Sequence, residues 1–120
     1  EVMEQGCSGI RDYVIVGSAG NLIYEINVGL VQTTAGTSSY QVILTWNSDV
    51  GSESVVMLDS IDASATGTLV NGVGNIGFSS KSSPMAKIKT NTGDIHIKVD
   101  NFSGTSPIYD IYVTAKVVGS

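Results

Sequence analysis

The sequence predicts an all-β domain: a two-sheet antiparallel sandwich, immunoglobulin-like or jelly-roll, with seven to nine strands. Apolar and polar residues alternate in several runs, and turn signals separate these runs about every 8 to 12 residues. No segment repeats apolar residues at the spacing of a helix face. A chain of 120 residues has room for one core. We therefore assign residues 12–120 to a single sandwich and residues 1–11 to a flexible N-terminal arm.

The clearest strands lie near the end of the chain. Apolar residues alternate with polar ones over residues 94–100 and again over 110–117, with Gly104 and Pro107 between the two runs. Alternation with a period of two is typical of strands that have one buried face. We predict that these two runs pair with each other as an antiparallel hairpin.

The first half of the chain predicts an arm followed by three strands. Residues 1–11 show no apolar period and contain two glycines, so they are expected to lack a core face. Strands are predicted at residues 12–16, 24–32 and 40–46. The third strand places Trp46, the only tryptophan, on its inner face as a buried anchor of the core.

The middle of the chain contains a continuous apolar run and a strong turn signal. Residues 54–61 include the run VVML, which predicts burial on both faces or at a partner interface. Asn71 and Gly72 form the dipeptide most typical of a two-residue hairpin turn. The remaining strands are predicted at residues 66–70, 73–78 and 85–89.

The composition indicates an extracellular or cell-surface protein. Only 14% of residues are charged, whereas 14 Gly, 16 Ser and 10 Thr make up a third of the chain. The net charge is −5 without any cluster of Lys and Arg, so no nucleic-acid partner is expected. No apolar run is long enough for a membrane span. A start at Glu1 is expected for a chain trimmed of its signal or for an ectodomain cut from its anchor.

The sequence contains no recognisable catalytic constellation. His96 is the only histidine, and its strand pattern places it on the solvent side, where no spacing supplies a nucleophile and a carboxylate for triad chemistry. We therefore expect no enzyme activity and no cofactor. Cys7 has no partner for an internal disulfide and lies in the predicted arm. We expect an exposed thiol there, either free, in an intermolecular bridge or used for attachment.

Two loops carry candidate ligand or modification sites. Asn47, Asp49 and Glu53 place side-chain oxygens at alternate positions, which suits calcium, although the loop lacks the full Asp-x-Asp-x-Asp-Gly run. A polar loop of this kind needs no ion to be stable. Asn101 begins the glycosylation sequon Asn-Phe-Ser in a loop where the acceptor is expected to be exposed.

The C-terminal stretch IHIKVDNFSGTSPIYDIYVTAKV resembles the last two strands of the pre-peptidase C-terminal domains appended to secreted bacterial and archaeal enzymes. Phe102-Ser103-Gly104 and residues 109–113 match the aromatic-Ser-Gly turn and the final Tyr-containing strand of those domains. Their acidic Asp-Leu-Asp stretch is replaced here by VVMLDSID. In size and composition, the chain also resembles subunits of extracellular filaments and the ectodomain of archaellum stator proteins. These resemblances imply a β-sandwich without catalysis.

The leading functional expectation is a structural or adhesive subunit of a cell-surface filament, and hence a homo-oligomer. An arm that completes a neighbouring sandwich would propagate into a fibre. The alternative for the arm is that it is frayed and that residues 13–16 pair within their own sandwich. The alternative function is a non-catalytic module that binds carbohydrate or protein, on a secreted enzyme or a membrane-anchored protein such as an archaellum stator. The residues expected to contact a neighbour are Val2, Met3, Ile10, Tyr13 and Ile15.

Overall fold

A computed structural model describes residues 1–70, 73–74, 76–79 and 82–120 and shows an all-β sandwich of two packed antiparallel sheets, as predicted. No residue in these ranges is helical. Within these ranges, nine strands have four or more residues and a tenth, β7, has two. The strands are β1 (Val2–Cys7), β2 (Arg11–Val16), β3 (Ile23–Thr34), β4 (Ser39–Ser48), β5 (Gly51–Asp62), β6 (Gly67–Val70), β7 (Val73–Gly74), β8 (Met85–Lys89), β9 (Ile95–Asp100) and β10 (Ile108–Gly119).

The strand order is that of a jelly roll. One sheet, the β3 sheet, has the order β1-β10-β3-β6-β7, with β8 beside β6 on the same edge of β3. The other, the β4 sheet, has the order β2-β9-β4-β5. The pairs β1·β10, β2·β9, β3·β8 and β4·β5 are nested, as in one long hairpin rolled into two sheets. This nesting distinguishes the fold from the immunoglobulin-like alternative.

The predicted hairpin near the end of the chain is wrong in its pairing, although both strands exist. β9 pairs with β2 and β4, whereas β10 pairs with β1 and β3 in the other sheet. The intervening residues 101–107 therefore cross the end of the sandwich. Each strand alternates as predicted because each covers the same core from one side. Period-two alternation identifies a buried face but does not identify the partner strand.

The N-terminal segment is also different from the prediction, because residues 2–7 form a paired strand. β1 lies on the edge of the β3 sheet, with Val2 opposite Val113 and Cys7 opposite Tyr109. The register shifts between Glu4 and Cys7, where Gly6 adopts a φ of +67°. Such a bulge interrupts the alternation by one residue, which explains why the sequence shows no strand period there.

The second half of the apolar run in β5, Met57 and Leu58, is buried by irregular pairing and not by coverage of both faces. Val42 pairs with Leu58 whereas the next residue, Ile43, pairs with Val56, so Met57 is an extra residue in the ladder. Both Met57 and Leu58 consequently point into the core and are at most 1% exposed. The prediction of burial on both faces is therefore wrong for this strand.

The remaining predicted strands agree with the structure in position. Residues 12–16, 24–32, 40–46, 54–61, 66–70 and 85–89 correspond to β2, β3, β4, β5, β6 and β8. The strand predicted at 73–78 is shorter, since residues 76–79 are not in a strand. β6 and β7 pair antiparallel, but the predicted turn residues Asn71 and Gly72 lie outside the described residues.

The Gln32 side chain is a buried polar group, and both its amide nitrogen and its amide oxygen have partners. The Gln32 side chain donates to the carbonyls of Asp62 and Ala65 at 2.9 and 2.7 Å and accepts a hydrogen bond from the Tyr40 hydroxyl. The Tyr40 ring also stacks on Phe102, with ring centroids 4.8 Å apart. These contacts tie the start of β4 to β3 and to the loops that close this end of the sandwich.

Trp46 lies on the inner face of β4 and packs against the core, but it is only partly buried. The prediction of full burial is wrong because the pairing of β9 with β4 ends at Thr45 and His96. Trp46 therefore lies near the rim of the sheet.

Candidate assembly surface

β10 has one fully paired edge and one edge that is only half covered. It pairs with β3 along its whole length, from Ile108 to Gly119. On the other side, β1 pairs only from Tyr109 to Val113. Residues 114–119, which we call the β10 edge, therefore have no backbone partner on that side among the described residues. Exposed main-chain groups of this kind can pair with a strand from another molecule.

The β10 edge carries exposed apolar side chains. Val117 is 54% exposed and Val118 is 43% exposed. The Lys116 amine lies 3.8 Å from the Glu25 carboxylate on the outer face of the β3 sheet. The register shifts between Val117 and Gly119, so Val118 forms a bulge. A single Lys and a bulge are features that limit unwanted edge pairing, but they leave two adjacent valines uncovered.

A second open edge lies on β5. Residues 77–79 and 82–83 lie beside its second half, where the amide of Asp62 donates to the carbonyl of Gly77 and the amide of Ser83 donates to the carbonyl of Met57. Residues 51–56, which we call the β5 edge, lack such a neighbour within the described part of the chain. Val55 and Val56 on this edge are 42% and 37% exposed.

The two open edges lie on opposite flanks of the molecule. β10 and β1 form one side of the β3 sheet, whereas β5 is the outermost strand on the other side of the β4 sheet. Both edges lie toward the same end of the sandwich. At this end, Ile23 of β3 pairs with Gly119, the last residue of the β10 edge, and with Lys89, the last residue of β8. Two residues after Lys89, the amide of Asn91 donates to the carbonyl of Asn47, beside the β4–β5 turn where the β5 edge begins.

The residues expected to contact a neighbour fall into two groups. Tyr13 and Ile15 face their own core from β2, which pairs with β9 of the same chain, and Val2 also packs against that core. Met3 and Ile10 are 74% and 64% exposed. Residues 13–16 thus pair within their own sandwich, the alternative that the sequence left open. The β10 edge was missed, although the valine pair at 117–118 breaks the alternation. Val55 and Val56 on the β5 edge belong to the VVML run, for which a partner interface was one of the two alternatives.

The N-terminal flank buries the cysteine that the sequence predicted to be exposed. Cys7 is 1% exposed, and its sulfur lies 3.6 Å from the Tyr13 hydroxyl. The bulge at Gly6 turns Cys7 inward. Burial raises the pKa of the Cys7 thiol, which keeps it protonated and unreactive. Hydrogen bonds from Tyr13 and Cys7 lower the pKa of Glu4, whose carboxylate also lies 3.5 Å from Arg11.

His96 lies on the outer face of the β4 sheet, as predicted, but it has a partner that the sequence did not reveal. Its Nδ1 atom lies 2.8 Å from Oδ1 of Asp12 on β2. The amine of Lys98 lies 4.0 Å from the other oxygen of that carboxylate. The His-Asp contact therefore forms part of an exposed ion cluster between β2 and β9.

An open groove of about 370 Å³ lies beside His96. Its walls combine an aromatic residue with hydroxyl, amide and carboxylate groups. Such groups can bind hydroxyl-rich ligands through stacking and hydrogen bonds. Its lining includes Thr45, Trp46, Asn47, Ser54, Asp94 and His96.

The incomplete calcium loop is a tight turn between β4 and β5. Asn47 pairs with Ser52, and Glu53 pairs with Trp46. Neighbouring positions of a strand pair project to opposite faces of the sheet, so Asn47 and Glu53 do not converge. Asp49 is exposed in the turn itself. Within the described ranges, no group of three or more His, Cys, Asp or Glu residues could hold a metal ion.

Asn101 is exposed directly after β9, where the sequence placed the acceptor of the sequon. Its backbone φ is +59°, and its side-chain amide nitrogen, Nδ2, donates to Oε1 of Gln41 at 2.6 Å. The hydroxyl of Ser103 in the same sequon lies 3.3 Å from the hydroxyl of Ser39.

The geometry defines a jelly-roll β-sandwich whose unpaired strand edges, among the described residues, include the β5 edge and the β10 edge. No protein-family model matches the chain, and comparison with curated proteins gives no match either. Among the described residues there is no helix long and apolar enough to cross a membrane.

Proposed function

We propose that this chain is a non-catalytic structural subunit of an extracellular filament that assembles through its unpaired strand edges. The observation that carries the proposal is that strand edges on opposite flanks of one molecule, among them residues 51–56 and 114–119, have no strand partner among the described residues. One open edge supports a pair of molecules, whereas two separate edges let each subunit bind two neighbours. A bivalent subunit grows into a chain.

The chemistry of the edges supports association. Each edge offers main-chain donors and acceptors together with two exposed valines. Burying apolar surface contributes roughly 25 cal/mol per Å², and the paired backbone fixes the orientation of the neighbour. Because β1 pairs with β10 of its own chain, the N-terminal strand completes its own sheet, and the proposed contacts involve the β5 and β10 edges instead.

The composition supports an extracellular location. The surface is rich in Gly, Ser and Thr, and Asn101 in its sequon is exposed. The Cys7 thiol is buried and protonated, and the Nδ1 atom of His96 contacts Asp12 and not a nucleophile, which supports a role without catalysis.

The groove beside His96 favours a second candidate function, a module that binds carbohydrate. Titration calorimetry with soluble neutral oligosaccharides tests it, with Thr45→Ala and His96→Ala as variants. Saturable heat that is lost in both variants would support this function. A flat titration with every oligosaccharide would reject it.

Sedimentation velocity and negative-stain microscopy over a range of protein concentrations test the filament proposal. We expect the wild-type protein to form long assemblies. A double variant, Val55→Lys with Val117→Lys, places a charge on each open edge and is expected to stay monomeric. Ile10→Lys is the matched control, since Ile10 is also exposed, at 64%, but lies on neither of these two edges.

The proposal is wrong if the wild-type protein remains monomeric at every concentration. It is also wrong if the double variant assembles as readily as the Ile10→Lys control. Circular dichroism on all three proteins verifies that the substitutions leave the fold intact.

A further inference from the structure

We infer that Asp12 is a positioning residue for ligand binding in the groove beside His96. It holds the imidazole with Nε2 toward the groove, where that atom accepts a hydrogen bond from a hydroxyl group of a neutral oligosaccharide. The inference rests on the second candidate function, carbohydrate binding in this groove, and names the atoms that recognise the ligand.

Three polar side chains form a row across the outer face of the β4 sheet. His96 on β9 lies directly opposite Thr45 on β4, and Thr45 lies directly opposite Ser54 on β5. Directly opposite residues project to the same face, and neighbouring strands are about 4.8 Å apart. The three side chains are therefore neighbours, and all of them line the groove.

The polar atoms of this row are available to a ligand. No side-chain hydrogen bond to a described residue involves the hydroxyl of Thr45, the hydroxyl of Ser54 or the Nε2 atom of His96. The neighbouring groove residues Asn47 and Ser52 differ, since the Ser52 hydroxyl donates to Oδ1 of Asn47 at 3.2 Å. The row thus offers a connected set of donors and acceptors that the protein itself does not use.

The contact with Asp12 decides which nitrogen of His96 carries the proton. Nδ1 of His96 lies 2.8 Å from Oδ1 of Asp12 on β2. An ionised carboxylate only accepts hydrogen bonds, so Nδ1 donates and Nε2 of the neutral ring is an acceptor. β9 lies between β2 and β4, and the two nitrogens of an imidazole point in nearly opposite directions. Nε2 therefore faces β4 and the groove.

The groups of the row favour a neutral ligand that is rich in hydroxyls. A hydroxyl both donates and accepts, so neighbouring hydroxyls of one sugar ring can donate to Nε2 and exchange hydrogen bonds with Thr45 and Ser54. Glu53 and Asp94 also line the groove, and their carboxylates disfavour an anionic ligand. The groove volume of about 370 Å³ is within the usual range of small-molecule sites.

Nitrogen NMR of the imidazole tests the positioning role directly. His96 is the only histidine, so its ring nitrogens are assigned without ambiguity in a long-range proton–nitrogen correlation spectrum. At a pH where the ring is neutral, we expect a protonated Nδ1 and an unprotonated Nε2. In Asp12→Asn, the new side-chain amide can donate to Nδ1, so we expect the proton to move to Nε2.

Titration calorimetry with neutral oligosaccharides of glucose, galactose, mannose and N-acetylglucosamine tests the consequence for binding. Asp12→Asn should raise the dissociation constant about tenfold, because Nε2 loses its acceptor lone pair and the ring loses its fixed orientation. The matched control is Asp49→Asn, the same chemical change at an exposed turn residue that does not line the groove. We expect it to leave the dissociation constant unchanged. Circular dichroism verifies that both variants are folded.

The inference is overturned if Nε2 carries the proton in the wild-type protein, or if Asp12→Asn binds as tightly as Asp49→Asn. Either result together with saturable binding by the wild-type protein would leave carbohydrate binding standing and refute only the role of Asp12. A flat titration of the wild-type protein with every oligosaccharide would reject both.

Discussion

The ring of Tyr112 on β10 covers Gly29 on β3, its direct partner in the register. A Cβ atom added to Gly29 would lie 2.1 Å from Cε2 of Tyr112, far inside van der Waals contact. The ring thus occupies the space that a side chain at position 29 would fill. An aromatic residue that covers a glycine on the neighbouring strand shields the backbone and fixes the register.

Replacing this glycine is expected to destabilise the sandwich. In Gly29→Ala, the new methyl group displaces the Tyr112 ring from the outer face of the sheet. We expect a loss of about 1 to 3 kcal/mol in the free energy of unfolding, as for other overpacked sites. Urea denaturation monitored by circular dichroism measures it.

The cause can be isolated with a double-mutant cycle. In a Tyr112→Ala background, the clash is absent, and alanine costs less backbone entropy than glycine. The Gly29→Ala change should then be neutral or slightly stabilising. An equal cost in both backgrounds would show that Tyr112 is not responsible.

A second prediction concerns the buried bond between Tyr40 and Gln32. Both residues are 1% exposed, and the Tyr40 hydroxyl donates to the Gln32 carbonyl oxygen. Tyr40→Phe leaves that oxygen buried without its donor, so we expect a loss of about 1 to 3 kcal/mol. Tyr24→Phe is the control, since the Tyr24 hydroxyl makes no hydrogen bond to any described residue. Equal stability losses in the two variants would contradict this account.

The third prediction concerns the reactivity of Cys7. Because the thiol is buried and its pKa is raised, it should react with a disulfide reagent only when the protein opens. We expect Cys7 in the native protein to react on the order of a hundredfold or more slower than in urea. An opening free energy of about 3 kcal/mol is enough to produce this difference in rate. The Ile10→Cys variant provides an exposed thiol for comparison. Equal rates for both thiols would show that Cys7 is accessible.

The fourth prediction concerns alkaline pH. Burial raises the pKa of Tyr13, Tyr40 and Tyr109 above the ordinary tyrosine value. The unfolded chain therefore loses these protons first. These tyrosines leave the free energy of unfolding unchanged below a pH of about 10, where tyrosine titrates in the unfolded chain, and lower it increasingly above that pH. The Cys7 thiol, whose pKa is also raised, begins to lower it from a pH of about 8.5.

Urea denaturation at a series of pH values measures this dependence. We expect the free energy of unfolding to decrease steadily above pH of about 10 and the decrease to be shallower in Tyr109→Phe. Tyr109→Phe also removes the hydrogen bond that the Tyr109 hydroxyl donates to the Gly9 carbonyl at 2.7 Å. We therefore compare how steeply the free energy of unfolding falls with pH in the two proteins, and not its absolute value. A flat profile up to pH of about 11 would refute the prediction.

Sequence periodicity identified most strands but not their partners. The alternation in β9 and β10 reports a buried face, and both strands do have one. Their assignment to different sheets depends on how residues 101–107 cross the sandwich, which involves contacts distant in sequence. β1 was missed because its bulge at Gly6 interrupts the period.

The surface residues were less predictable than the strands. The positions of Asn101 and His96 follow from local pattern, whereas the partner Asp12 lies 84 positions away from His96 in the sequence. An unpaired edge is even less visible, because it depends on where a neighbouring strand ends. Val55 and Val56 are exposed on β5 before residue 57, where the amide of Ser83 donates to the carbonyl of Met57.

The sequence by itself determined that this protein is an all-β sandwich, because alternation, turn residues and the lack of a helical period are local properties of the chain. Tertiary structure alone decided the nested jelly-roll pairing, the inward turn of Cys7 and the two open edges. These features depend on which distant segments meet and on where each strand stops relative to its neighbour. Main-chain hydrogen bonds between strands are nearly independent of side-chain identity, so the residues along one strand do not specify the end of the next.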